Sequence, residues 1–166
     1  MKRAAALLAL ALPLAGCGLQ PLYPAGGAGS VAGTLGQVEV APIEGKSGWL
    51  VANALRDRFG EGGQQTARYR LDVKLDDKII GLAVRSDNSV TRERRTLRAR
   101  YQLVSLDTGT VVLDATAGSD AGIDVVTSEY ATIAAESTAL ERLSDIVADQ
   151  IVARVALYAR NESAGK

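Results

Sequence analysis

An α+β fold, with two helices packed on one face of a four-stranded, mostly antiparallel sheet, is what three features of the sequence predict. Four segments alternate apolar and polar residues with period two. Two others carry apolar residues at helical spacing. The last three alternating segments are joined by short turns of the type Ser86-Asp87-Asn88-Ser89 and Asp107-Thr108-Gly109, which favours antiparallel neighbours. The order is strand, helix, three strands, helix. Each strand has one apolar face and each helix one apolar stripe, so a two-layer sandwich buries them most economically. The second face of the sheet is then left open and polar.

Each element follows from its residues. Gln37 to Ile43 alternates Val38 and Val40 with Gln37 and Glu39, and Pro42 marks an edge. Ser47 can cap a helix from about Gly48 to Phe59, in which Leu50, Val51, Ala54, Leu55 and Phe59 share a side and Gly60 ends the run. Trp49 reads as a packing or tether-covering residue. Residues 62–66 form a loop. A long strand from about Arg68 to Arg85 places Tyr69, Leu71, Val73 and Leu75 inward and Arg70, Asp72, Lys74 and Asp76 outward. The apolar phase then moves to Ile80, Leu82 and Val84, which a bulge near Asp76-Asp77 would absorb. The next strand runs from about Val90 to Leu106, with Leu97, Ala99, Tyr101 and Leu103 facing the core. A fourth covers Thr110 to Ala117, and residues 118–124 read as a loop. From about Ser128 to Arg160 there is no Gly or Pro, and Ile133, Leu140, Leu143, Val147, Ile151, Val155 and Tyr158 form one stripe.

The amino terminus is organised differently. Lys2 and Arg3 precede an apolar run from Ala4 to Leu14, and Leu14-Ala15-Gly16-Cys17 follows. This is a secretory signal with a small-residue cleavage site. It is too short for a membrane span, which needs about 20 apolar residues. A cysteine directly after the cut resembles the lipobox of bacterial lipoproteins, which implies acylation of Cys17 by a diacylglycerol and a further acyl chain. Gly18, rather than Asp, implies sorting to the outer membrane. Two prolines and a Gly/Ala/Ser-rich stretch then read as a tether. The expected layout is a signal peptide over 1–16, a lipidated tether over 17–36, one domain over 37–160 and a polar tail over 161–166.

Composition narrows the chemistry. There are 19 basic and 19 acidic side chains, no histidine and a single cysteine, Cys17. A Cys/His zinc site and a His-dependent catalytic centre cannot be assembled. Carboxylate-only or Ser–Lys catalysis stays open, as in a small hydrolase using Asp or Glu pairs, but no such pair or Ser–Lys spacing stands out. The reading is therefore a non-enzymatic protein without cofactor or metal. The balanced charge does not suggest a nucleic-acid binder.

The densest charge signal is Val90 to Tyr101, VTRERRTLRARY. In a strand Arg92, Arg94, Arg98 and Arg100 share one face, opposite Leu97, Ala99 and Tyr101. That places them on the open side of the sheet. Arginine suits bidentate capture of phosphate or carboxylate, so the row is a candidate anion- or partner-binding patch. Arg70 and Lys74 can extend it, and Asp72 and Asp76 can neutralise part of it. The alternative is a solvated face with cross-strand ion pairs.

The lipobox with Cys17-Gly18-Leu19-Gln20-Pro21-Leu22-Tyr23 resembles the start of the LptE family of lipopolysaccharide-assembly lipoproteins, of the alphaproteobacterial type. The order of elements, Tyr69-Arg70-Leu71, Leu97-Arg98-Ala99-Arg100-Tyr101, and Tyr130-Ala131 with Ala135 are similar as well. The resemblance implies a non-catalytic outer-membrane lipoprotein. It would be anchored by its lipid on the periplasmic side, plug an LptD-like β-barrel and help deliver lipopolysaccharide. A second reading is an auxiliary lipoprotein of an ABC-type phospholipid transport system. Co-purification of a large barrel, or of periplasm-spanning transport subunits, separates the two.

Overall fold

The computed structural model describes residues 30–60, 66–84 and 90–164. The expected signal peptide, Cys17, the 86–89 turn and most of the 62–66 loop lie outside these residues. The described elements are α1 (Ser30–Leu35), β1 (Val38–Val40), α2 (Gly45–Phe59), β2 (Tyr69–Val84), β3 (Val90–Ser105), β4 (Val111–Asp124) and α3 (Glu129–Ala164). The strands form one sheet in the order β1-β2-β3-β4. β2, β3 and β4 make an antiparallel meander, while β1 runs parallel to β2. α2 is the crossover between those two parallel strands. The expected α+β sandwich is present, with three helices beside a mixed sheet.

The core is one cluster. Leu143, Val147 and Ile151 of α3 are buried with Leu71, Val73, Leu97 and Tyr101 of the sheet and with Val51 and Leu55 of α2. These are the stripe and the odd-numbered strand faces that the sequence indicates. Polar links also fasten the helices. The Arg58 guanidinium of α2 donates to Asp145 and Asp149 of α3. The Tyr69 hydroxyl donates to Glu162 at 2.8 Å, and its ring meets Tyr158 edge-on. Burial, then that carboxylate, pushes the Tyr69 phenol up. At the other end Arg95 forms a pair with Asp77 at 2.7 and 2.9 Å and donates to the Glu136 carbonyl at 3.0 Å.

That last contact explains why the bulge is displaced. The register runs unbroken from Tyr69 to Gly81, and the irregularity falls between Gly81 and Val84 rather than near Asp76-Asp77. Keeping phase turns Asp77 inward, where Arg95, also at an odd position, meets it with both groups largely buried. The consequence is that Ile80 faces outward, 49% exposed.

Other boundaries differ for local reasons. Residues 30–35, expected within the tether, form α1, which packs on α3 and buries Leu35. β1 is only three residues long. α2 starts at Gly45, ahead of Ser47, and its N-cap Glu44 makes no side-chain cap. Gly45 has φ 80, so the chain reverses there and the helix begins before the expected cap. β4 continues through 118–124, and α3 continues to Ala164, into the expected tail. Trp49 is 63% exposed rather than packed.

Gly48 sits where α2 passes closest to the preceding chain. A Cβ there would lie 2.6 Å from the Ile43 carbonyl oxygen and 2.7 Å from its carbon. Gly48→Ala should therefore destabilise, although Ala is favoured over Gly in an open helix by about 1 kcal/mol. Overpacking of this kind costs about 1–3 kcal/mol. A lower denaturant midpoint is expected. An unchanged or higher one would mean that the Pro42-Ile43 segment moves aside freely.

Candidate partner-binding face

The helices cover the odd-numbered face of the central strands and leave the even-numbered face open. Arg92, Arg94, Arg98 and Arg100 all lie on this open face and all are exposed. Period-two alternation puts them there, because Leu97, Ala99, Tyr101 and Leu103 are held in the core.

The row is neither isolated nor of a single sign. Arg92 pairs with Asp124 at 3.3 Å, Arg98 with Asp120 at 3.2 Å and Arg100 with Asp114 at 3.1 Å, all across to β4. Along β2, Arg70 pairs with Asp72 and Lys78 with Asp76. Arg70 thus belongs to its own pair, and Lys74 stands opposite Arg100 in the register. Among the described residues neither Lys74 nor Arg94 forms an ion pair. Arg94 lies between Ile80 on β2 and Gly122 on β4.

Two of these three aspartates, Asp120 and Asp124, were hidden in the sequence because residues 118–124, with Gly118 and Gly122, read as a loop, while Asp114 already lay in the expected strand. The signal was available in the even positions Asp114, Thr116, Asp120 and Asp124. Gly118 has a specific reason to be there. A Cβ would come within 2.5 Å of Arg98 Cδ, so the missing side chain lets Arg98 fold across β4 to Asp120. Thr96 also donates to Asp120, at 2.6 Å. These bonds, Thr96 first and Arg98 second, hold the Asp120 carboxyl below its usual range. Asp114 is lowered chiefly by the Arg100 hydrogen bond and then by Gln102. As pH falls through these depressed values the aspartates lose their charge, and the face becomes positive. A shallow depression of about 770 Å³ includes Lys74, Asp76, Arg98, Arg100, Thr116 and Gly118 in its lining.

The arrangement can offer paired donors and acceptors to a carboxylate or phosphate. The face is a ladder of paired charges, about 50 Å long at about 3.3 Å per residue, in which Lys74 and Arg94 stand outside the ion pairs of the described residues and the Arg94 charge also acts on Asp120. Among the described residues there is no cluster of metal-ligating side chains. No described helix is long and apolar enough to cross a membrane.

Solved structures share this architecture. A Caulobacter crescentus CB15 protein assigned as a lipoprotein superimposes with a TM-score of 0.68 at 23% identity, covering 81% of this chain and 98% of its own. The rare lipoprotein B of Shewanella oneidensis gives 0.58 at 10% identity, covering 75% and 99%. A minor lipoprotein of Acinetobacter baumannii gives 0.57 at 16%, covering 73% and 91%. At these identities the likeness establishes the fold. No curated protein sequence matches the chain. The lipopolysaccharide-assembly family model LptE matches residues 35–155, from the end of α1 to late in α3. The chain belongs to the LptE family of lipopolysaccharide-assembly proteins.

Proposed function

We propose that the protein is a lipoprotein anchored through Cys17 to the outer membrane. Its body seats within an LptD-type β-barrel and assists lipopolysaccharide delivery without catalysing a reaction. The observation that carries this reading is the open, charge-laddered sheet face. The inner wall of a large membrane barrel is polar, and a face of alternating Arg and Asp offers it donors and acceptors in a regular array. The length also fits. Strands of 16 residues exceed the roughly 30 Å hydrocarbon thickness, so the body can fill a lumen from one side of the membrane to the other.

Within the row the roles divide. Arg92, Arg98 and Arg100 are tied to aspartates, so they fix the face and present shared charge. Arg94, beside the aliphatic Ile80, has donors to spare for a carboxylate on the barrel wall or a lipid phosphate.

Charge reversal tests this. Arg94→Glu with Arg98→Glu removes the spare donor and sets Glu beside Asp120. Both side chains are exposed, so the body should stay folded. Barrel recovered with the protein, or lipopolysaccharide retained by it, should fall by about tenfold or more, the loss that about 1.4 kcal/mol produces. Rising salt should weaken the wild-type contacts where they are exposed. A folded double variant with full barrel association and lipid binding would reduce the row to a solvated surface.

A further inference from the structure

β4 is an outer strand of the sheet, and a helix side chain closes it at its centre. Val125 N–H donates to the Thr91 carbonyl at 3.1 Å, so the odd positions of β4 bond to β3. Alternation then turns the N–H and C=O of the even positions, Asp114, Thr116, Gly118, Asp120 and Gly122, away from β3. At Gly118 both groups are taken. Its N–H donates to Gln150 Oε1 of α3 at 2.9 Å, and Gln150 Nε2 donates to its carbonyl at 3.4 Å. A side-chain amide thus makes the pair of bonds that a neighbouring strand would make. It fills the place, about 4.8 Å away, where that strand would lie. The other four even positions are exposed and carry no such bond among the described residues.

We propose that Gln150 is a strand mimic that keeps the protein monomeric, by closing β4 to a second copy of the same chain. β4 has 14 residues and carries no lysine, arginine or proline, the residues that commonly blunt an edge. Its aspartates are neutralised by Arg92, Arg98 and Arg100 of β3, so charge alone does not guard it. A contact made by the helix takes over that task.

The sequence of β4 also suits its own copy. A two-fold axis at Gly118 would pair the strand with itself in the antiparallel sense. On the open face Thr116 then meets Asp120 of the other copy and Asp114 meets Gly122, so no two carboxylates stand opposite each other. On the helix-covered face Ala117 meets Ser119 and Ala115 meets Ala121, all small. Ile146, one turn before Gln150 on the same side of α3, is 42% exposed and adds an apolar flank. Because Gln150 sits at the axis, each copy brings one amide, and this pairing requires both to leave.

Sedimentation of the mature chain, residues 17–166, tests this with no barrel present. Every protein carries Cys17→Ala, so that acyl chains do not gather copies. With Gln150 in place the chain should stay monomeric. Gln150→Ala bares the Gly118 N–H and C=O and should form a dimer, with a dissociation constant lower by about tenfold or more. The Thr116 and Asp120 amides of that variant should become protected from hydrogen exchange as its concentration rises. Adding Gly122→Pro should return it to monomer. That proline removes a donor which the dimer uses twice and β3 does not use, and a Cβ at Gly122 meets nothing within 4 Å. A Gln150→Ala protein that associates no more than its parent overturns the proposal. So does a dimer in which Thr116 and Asp120 gain no protection, since it forms through another surface, and so does a parent that already pairs through β4. The result does not depend on whether the open face binds a barrel.

Discussion

Leu143→Ala should lower the unfolding free energy by about 2–5 kcal/mol, the range for removing a fully buried leucine and leaving a cavity. Leu143 is 1% exposed and lies midway along α3, in the same cluster as Leu71, Val73, Leu97 and Tyr101. A domain of this size is stable by about 5–15 kcal/mol, so the variant loses a large part of its margin. The cavity would open between α3 and the sheet, where both walls are regular elements that cannot collapse independently. Ile133 provides the contrast. It belongs to the same sequence stripe but is 53% exposed, and Ile133→Ala should stay within about 0.5 kcal/mol of wild type. Urea titration of the two variants measures both. A near-neutral Leu143→Ala would place the wrong face of α3 on the sheet.

That contrast shows which parts of the fold could be read from the sequence. Burial of one face imposes period two on a strand and period 3.6 on a helix, so the core positions of β2, β3 and α3 are visible wherever the face is apolar. Ile133 and Ile80 fall outside this logic. The first lies before the point at which α3 becomes well buried, and the second is turned outward because Asp77 and Arg95 satisfy each other inside. A charge pair at buried positions breaks the apolar alternation, and the sequence alone then reads as a phase change. Gly118 and Gly122 misled for a related reason. Glycine in a strand normally marks a break, but Gly118 is needed so that a long arginine can cross it.

The candidate face divided in the same way. The positions of Arg92, Arg94, Arg98 and Arg100 were legible, because each alternates with a core residue. Their counter-ions were not, because Asp120 and Asp124 join the face only if β4 continues past Ala117. What looked like a single-sign row is a ladder of pairs. A ladder binds by geometry more than by net charge, so its loss should depend on which residue is changed. On the proposed reading, Arg94, without an ion pair among the described residues, is the position where a substitution should act most directly on a partner.

Cys17→Ala should abolish membrane attachment through lipid. The expectation rests on Leu14-Ala15-Gly16-Cys17 following a basic start and an apolar run, and on the three acyl chains that the lipobox resemblance implies. Each buried methylene contributes about 0.8 kcal/mol, and one chain holds a protein only marginally, so stable anchoring takes two signals or more. No described helix is long and apolar enough to cross a membrane, so no described helical span replaces the lipid. The body itself should be untouched, because its core is assembled from residues 35–156. The wild type should therefore fractionate with membranes and show an intact mass increased by a diacylglycerol and an acyl chain. The variant should appear unprocessed, or as a soluble folded protein in the periplasm. Barrel binding can retain part of it, and adding Arg94→Glu and Arg98→Glu should release that part. A wild-type protein whose mass carries no acyl groups would remove the anchor from the proposed function and leave the barrel as the sole means of holding the body at the membrane.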